Sequence, residues 1–319
     1  MKGAVRQAGI ATLLMSLGVH AEAQAGSAPA QSGDTQATAI LPKPDASHRL
    51  QIDVFIGNAG HYLFLVDTAS TRSVIASRPA EQMHLRHGES LNVHNLGGTD
   101  RVGSVIIPDI TFADVAAQNI VAPELSAENL GGDGLIGLDL LKGKRITVDF
   151  LNNAKITLTP SNRGRVHDAT FGGPDTIVVH ARSRIGELIL TDAEIDGHKI
   201  AVVIDTGSQD SVGNDALRRL VARRIGESEV RPVTLVSVTG RKVPADYTTI
   251  GRVRIGGVAL SNLSVAFADA ATFHQFGLDR KPAILLGMAA LRLFDRISID
   301  FPRREIRFQL GQRAASNIH

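Results

Sequence analysis

The chain has 319 residues, 43% of them apolar, enough for one large domain or two ordinary ones around a real core. Its formal charge is only +2, and with no Trp and two Tyr it offers no basic stripe interleaved with stacking aromatics, which argues against a nucleic-acid partner despite a sequence pI near 9.0. Zero cysteines exclude disulfides, thiolate metal sites and a Cys nucleophile.

In chain order, residues 1–25 read as an export signal. MKGAVRQ supplies Lys2 and Arg6, AGIATLLMSLGV is a short apolar run, and AEA followed by AQA offers small-residue cleavage sites near Ala23 or Ala25. The run is too short to span a bilayer as a mature helix, and no other segment is a transmembrane candidate. The expectation is a periplasmic or secreted protein with no stable membrane insertion after signal removal. Residues 26–47 are rich in Ser, Ala, Pro and Gly without periodicity and read as a flexible leader.

From residue 48 onward, Val, Ile, Leu and Thr alternate in short runs broken by Gly, the pattern of short antiparallel strands. These runs occur twice in one order, so the chain carries an internal repeat. The first unit, 48–160, contains LFLVDTASTRSVI (Leu63 to Ile75), a hairpin candidate NVHNLGGTDRVGS turning at Gly97 and Gly98, the motif Leu135-Ile136-Gly137, and a closing hairpin ITVDFLNNAKITL. A linker, 161–175, precedes the second unit, 176–312. That unit contains VVIDTGSQDSV (Val202 to Val212), a hairpin candidate LVSVTGRKVPADY turning at Gly240, the motif Leu285-Leu286-Gly287, and ISIDFPRREIRFQL. A Ser follows each Asp at one spacing, Asp67 to Ser73 and Asp205 to Ser211. In the second unit Asn214 to Ile225 reads as a helix capped by Asn214, with Leu217, Leu220, Val221 and Ile225 on one face and Arg218, Arg219, Arg223 and Arg224 on a solvated one.

Asp67 and Asp205 each end an apolar strand, where an ionised and unpaired carboxylate is costly. Two such acids in equivalent halves can meet at a pseudo-twofold axis. Carboxylates that close cannot both ionise, so they share a proton, and one can take a proton from water while the other donates one to a carbonyl oxygen. Thr68 and Thr206 can hydrogen-bond across the axis. Gly207 lets backbone approach a carboxylate, and Ser70 and Ser208 offer hydroxyls to the outer carboxylate oxygens.

With two Asp-Thr loops and two downstream apolar-apolar-Gly motifs in matching order, the chain resembles the retropepsin-like and pepsin-like aspartic proteases, and most of all bacterial aspartyl-protease-like proteins with two retropepsin-like lobes in one chain. The resemblance covers about residues 48–312. It implies an all-β, bilobal acid-protease-like fold of two β-barrel lobes with short helices, and an aspartic endopeptidase acting on peptide or protein substrates without metal or cofactor. It further implies Asp67 and Asp205 as the catalytic dyad, Thr68, Ala69, Ser70, Thr206, Gly207 and Ser208 as the supporting loops, and hairpin flaps over the cleft with Gly97, Gly98 and Gly240 at their turns. Both flaps are expected to lean over the acids. One departure stands in the first loop, where Ala69 replaces the usual Gly; if that backbone needs a positive φ, the methyl strains the loop. The alternative is a non-catalytic peptide-binding or scaffold protein that keeps the fold. A monomer is the favoured arrangement and a homodimer of lobes its rival.

Other signals are weaker. His84, His87 and His94 cluster in sequence but lack matched carboxylates and read as solvated. The Gly clusters lack the Lys-Ser/Thr of a phosphate loop, and no G-x-S-x-G elbow is present. Asp149 and Asp300, in the repeated VDF and IDF, read as strand-end hydrogen-bonding acids.

Overall fold

The computed structural model describes residues 9–10, 38–40, 43–44, 49–58, 60–152, 154–161, 176–184, 187–224 and 230–310. The expected export signal apart from Gly9–Ile10, most of the leader, linker residues 162–175 and residues 311–312 lie outside the described residues. Within the stretch read as leader, Thr38–Ile40 pairs with Lys155–Pro160 and Lys43–Pro44 pairs with Leu50–Ile56.

Alternation sets the N-terminal half. Leu50, Ile52, Val54 and Ile56 all face inward and are buried, while Phe55 is exposed. Their strand, Leu50–Ile56, pairs antiparallel with His61–Val66. That strand lies parallel to Gly134–Ile136, which is antiparallel to Val74–Ala76. Val74–Ala76 runs parallel to Val115–Leu125, which is antiparallel to Ser104–Phe112. Ser104–Phe112 then returns to the first strand, with Ile110 opposite Ile56, and closes the barrel.

The C-terminal half repeats this circuit. Glu187–Ile195 pairs with His198–Ile204, then come Ala283–Leu286, Ser211–Gly213, Val258–Phe267 and Lys242–Ile255, which closes on the first strand with Ala193 opposite Ile255. Even the register is kept: Ile136 stands opposite Val66 and Leu286 opposite Ile204. The molecule is therefore all-β and bilobal, two closed six-stranded barrels with short helices.

The lobes are joined by their closing hairpins. Lys144–Asp149 pairs antiparallel with Arg296–Asp300 across the molecule, with Lys155–Pro160 and Glu305–Gln309 outside them. Asp149 accepts from Arg296 Nη2 at 2.7 Å and from Asn152 Nδ2 at 2.8 Å, and Asp300 accepts from Ser161 Oγ at 2.8 Å. Both acids serve this sheet, as their places in the repeat suggest.

The helix of the second lobe spans Asp215–Val221, followed by a 3-10 turn at Ala222–Arg224. Asn214 caps it, its Oδ1 accepting from the Leu217 N–H at 2.9 Å, and Ala216, Leu217 and Val221 are buried. The arginine face is not wholly solvated, because Arg218 pairs with Asp246 on a neighbouring strand.

Candidate active site

Each acid leaves its strand at the point where the Gly-motif strand crosses beside it. The Asp67 N–H donates to Ile136 O at 3.0 Å and the Asp205 N–H to Leu286 O at 3.0 Å. One residue later, Gly137 and Gly287 run so close to the Asp loops that an added Cβ would lie 2.5 Å from Arg72 C or Asp210 O. Glycine is the residue that fits there. The Ser of each repeat closes this crossing from the side chain: Ser73 Oγ accepts from the Gly137 N–H at 3.0 Å and Ser211 Oγ from the Gly287 N–H at 3.2 Å.

The two loops grip each other reciprocally. Thr68 Oγ1 donates to Ile204 O at 2.8 Å and Thr206 Oγ1 to Val66 O at 2.7 Å, so each hydroxyl reaches the opposite lobe. In return the Thr68 N–H donates to Thr206 Oγ1 at 3.1 Å and the Thr206 N–H to Thr68 Oγ1 at 3.3 Å. All four partners are buried, so each bond satisfies a group that water cannot reach.

This grip seats the carboxylates. Asp67 Oδ1 accepts from the Ala69 N–H at 2.9 Å and Asp205 Oδ1 from the Gly207 N–H at 3.0 Å. A Cβ on Gly207 would lie 2.4 Å from both Cγ and Oδ2 of Asp67, so the second loop lies directly against the first carboxyl. Both acids are fully buried, and Asp67 Oδ2 has no hydrogen-bond partner. Burial first, and then the charge of Asp205, pushes Asp67 well above the ordinary carboxylate range, against the pull of the Ala69 N–H and the Arg49 guanidinium.

Two expectations from sequence need correction. Ser70 and Ser208 do not donate to the carboxylates: each spends its hydroxyl proton on a carbonyl two residues ahead, Arg72 O at 2.8 Å and Asp210 O at 2.7 Å, which tightens its own loop. Nor does the first loop strain Ala69, since neither Ala69 nor Gly207 has a positive φ. The glycine at 207 is needed for space, and the buried methyl of Ala69 is accommodated at the equivalent place on the other side of the axis.

The hairpins bearing Gly97, Gly98 and Gly240 meet each other. Leu91–Asn95 and Gly98–Val102 form one, with Gly98 at φ +132°; Arg231–Ser237 and the start of Lys242–Ile255 form the other, with Gly240 at φ +85°. Leu96, at the first tip, is buried in one apolar cluster with Val203, Val212 and Leu285 of the C-terminal lobe. Val238, at the second tip, is buried with Leu65, Val74 and Leu135 of the N-terminal lobe. Each tip thus reaches the strands that carry the opposite lobe's acid.

Sequence reasoning missed Arg49 and Asp139. Arg49 is buried, and its Nη1 donates to Gly207 O at 3.4 Å. Asp139 Oδ1 accepts from the Ser73 N–H at 2.9 Å and Ser73 Oγ at 2.7 Å; burial pushes its pKa above the ordinary carboxylate value, with the Ser73 bonds opposing. A lone cation ahead of an apolar strand is the only signal Arg49 gives. For Asp139 it is an acid two residues after the motif glycine, in the first copy alone.

Two closed barrels, each delivering an Asp-Thr loop to one axis, define an acid-protease architecture. Residues 191–290 match the family described as aspartyl protease, and residues 52–143 match the family described as gag-polyprotein putative aspartyl protease, one match in each lobe. The chain belongs to the retropepsin-like aspartic protease family. No curated protein matches it.

Proposed function

We propose that the chain is an aspartic endopeptidase in which Asp67 and Asp205 form one cross-lobe dyad. The observation that carries this reading is the reciprocal Thr68 and Thr206 grip, which holds the two Asp loops together, each with a buried carboxyl group, and Gly207 of the second loop packed on Asp67. The pair shares one proton, assigned to Asp67, whose environment favours the neutral form. Ionised Asp205 takes a proton from water as the water oxygen bonds to the scissile carbonyl carbon, and Asp67 gives its proton to the carbonyl oxygen. The resulting gem-diol returns a proton to Asp67 while Asp205 protonates the amide nitrogen; the C–N bond breaks, leaving an acid and an amine. No covalent enzyme intermediate is formed.

Lifting the flap tips Leu96 and Val238 would bare Leu65, Val74 and Leu135 on one side and Val203, Val212 and Leu285 on the other, apolar surfaces that fit apolar side chains flanking the scissile bond. The N-terminal sequence supports export, so the enzyme works in the periplasm or outside the cell, and the intrachain pairing of the lobes fits a monomer. No described helix is long and apolar enough to cross a membrane.

The rival reading is a peptide-binding or scaffold protein that keeps the fold and does not cut, and the unstrained, buried methyl of Ala69 gives it no support. Incubation of the mature chain with an unbiased peptide library, from acid to neutral pH, separates the two. Internal cleavage products support the peptidase; retention of peptides without cleavage supports the binder.

A further inference from the structure

The two flaps are joined by side chains as well as by apolar tips. Asp100, on the N-terminal flap, accepts from Thr239 Oγ1 at 2.6 Å and from Arg241 Nε at 2.7 Å, both on the C-terminal flap. Asn95 Nδ2 donates to Asp100 Oδ2 at 2.9 Å and also reaches Thr239 Oγ1 at 3.1 Å. Arg241 Nη2 reaches Thr99 O at 3.4 Å, and its stem lies across Gly97, where an added Cβ would be 2.7 Å from Arg241 Cβ. Within its own turn Arg241 is held by its N–H to Ser237 Oγ at 3.1 Å. Asn95 and Ser237 are fully buried, so this is an ordered junction. Hydrogen bonding from Arg241 holds the Asp100 carboxyl down to about 2, so its charge persists in acid.

We propose that Asn95, Asp100, Thr239 and Arg241 form a clasp that locks the two flaps together over the paired Asp loops, and that peptide is admitted to those loops only when the clasp opens. The admission step rests on the peptidase reading; the clasp itself does not. The geometry supports it from two directions. Leu96 and Val238 sit buried in the clusters built on the opposite lobes' Asp-bearing strands, and the acids beneath are fully buried, so an extended peptide displaces both tips on its way in. Both tips are tied to one charged pair, so they open together.

The test is amide hydrogen exchange on the whole mature protein, wild type beside Asp100→Asn, Arg241→Gln and the double variant, with kcat/KM measured on a peptide found by library cleavage. Amides of both hairpins, 91–102 and 231–242, are expected to exchange about tenfold faster in each single variant, with the double variant no faster than either, because the pair acts as one unit. Amides of His61–Val66 stay as in wild type, which guards against general destabilisation. High salt speeds flap exchange in wild type and leaves Asp100→Asn unmoved. Unchanged flap exchange, or a change confined to one hairpin, overturns the clasp. Faster exchange with kcat/KM several-fold higher supports gated admission; faster exchange with kcat/KM unchanged or lower overturns it. If wild type cuts nothing, the peptidase reading and the admission step fall together, and exchange still decides the clasp.

Discussion

Gly207→Ala probes the site at its tightest point. The new Cβ would lie 2.4 Å from Cγ and Oδ2 of Asp67 and 2.8 Å from Oδ1, against 3.4 Å or more for ordinary contact. About 1 Å of movement is needed to reach that contact. Asp67 cannot simply swing away, because its Oδ1 holds the Ala69 N–H at 2.9 Å, and the loop cannot retreat without pulling Thr206 off Val66 O. Overpacking of this kind costs about 1–3 kcal/mol, and for a chain of this size each kcal/mol lowers Tm by about 2–4 °C. The chemical penalty is expected to be larger, since a 1 Å misplacement of a reacting group costs about 100-fold in rate. The paired control is Ala69→Gly. It removes one buried methyl and adds chain freedom, together about 1–2 kcal/mol, and leaves the carboxyls in place, so activity is retained. Thermal denaturation and kcat on one peptide read both effects. A Gly207→Ala protein with wild-type Tm and wild-type kcat would refute the close approach of the two loops.

Thr206→Val removes the donor to Val66 O and the acceptor for the Thr68 N–H, leaving buried groups unpaired at about 1–3 kcal/mol each; Thr206→Ser, which keeps the hydroxyl, is expected to recover most of that loss in chemical denaturation. Asp67 makes stability depend on pH in a definite direction. Its folded-state pKa is raised, so its neutral form is favoured in the fold; that contribution is whole below the unfolded value, near 4, and is lost as pH rises through the folded one. Asp67→Asn, permanently neutral, is therefore expected to be more stable than wild type at neutral pH, with the gap closing in acid; a gap that widens in acid contradicts the assigned shift. Asn214→Ala removes the helix cap and the side-chain donors to Leu278 O and Lys281 O, both at 2.7 Å. The cap alone is worth about 1 kcal/mol, and the total loss in denaturant is expected to exceed it.

What could be read from sequence was local and repeated. An acid after Val-Val-Ile or Phe-Leu-Val, a Thr beside it and an apolar-apolar-Gly strand downstream occur twice, so barrel, crossing strand and threonine grip followed from one copy and were checked by the other. What could not be read depends on neighbours far apart in the chain. The clasp joins Asp100 to residues 139 and 141 positions away, and it exists in only one sense because Thr-Asp-Arg on the first flap differs from Thr-Gly-Arg on the second. Arg49 lies 158 positions from the carbonyl it touches. Ser70 and Ser208 misled for the opposite reason: a nearby carbonyl in their own loop competes with the carboxylate, and the local bond wins.

The central claim is one dyad made by both lobes, and its most direct measurement is kcat of Asp67→Asn and Asp205→Asn beside wild type on a single peptide, with binding of that peptide to each variant measured by calorimetry. The expected result is that either substitution abolishes cleavage while peptide affinity stays within a few-fold of wild type. Cleavage that survives the loss of either carboxylate would contradict the account.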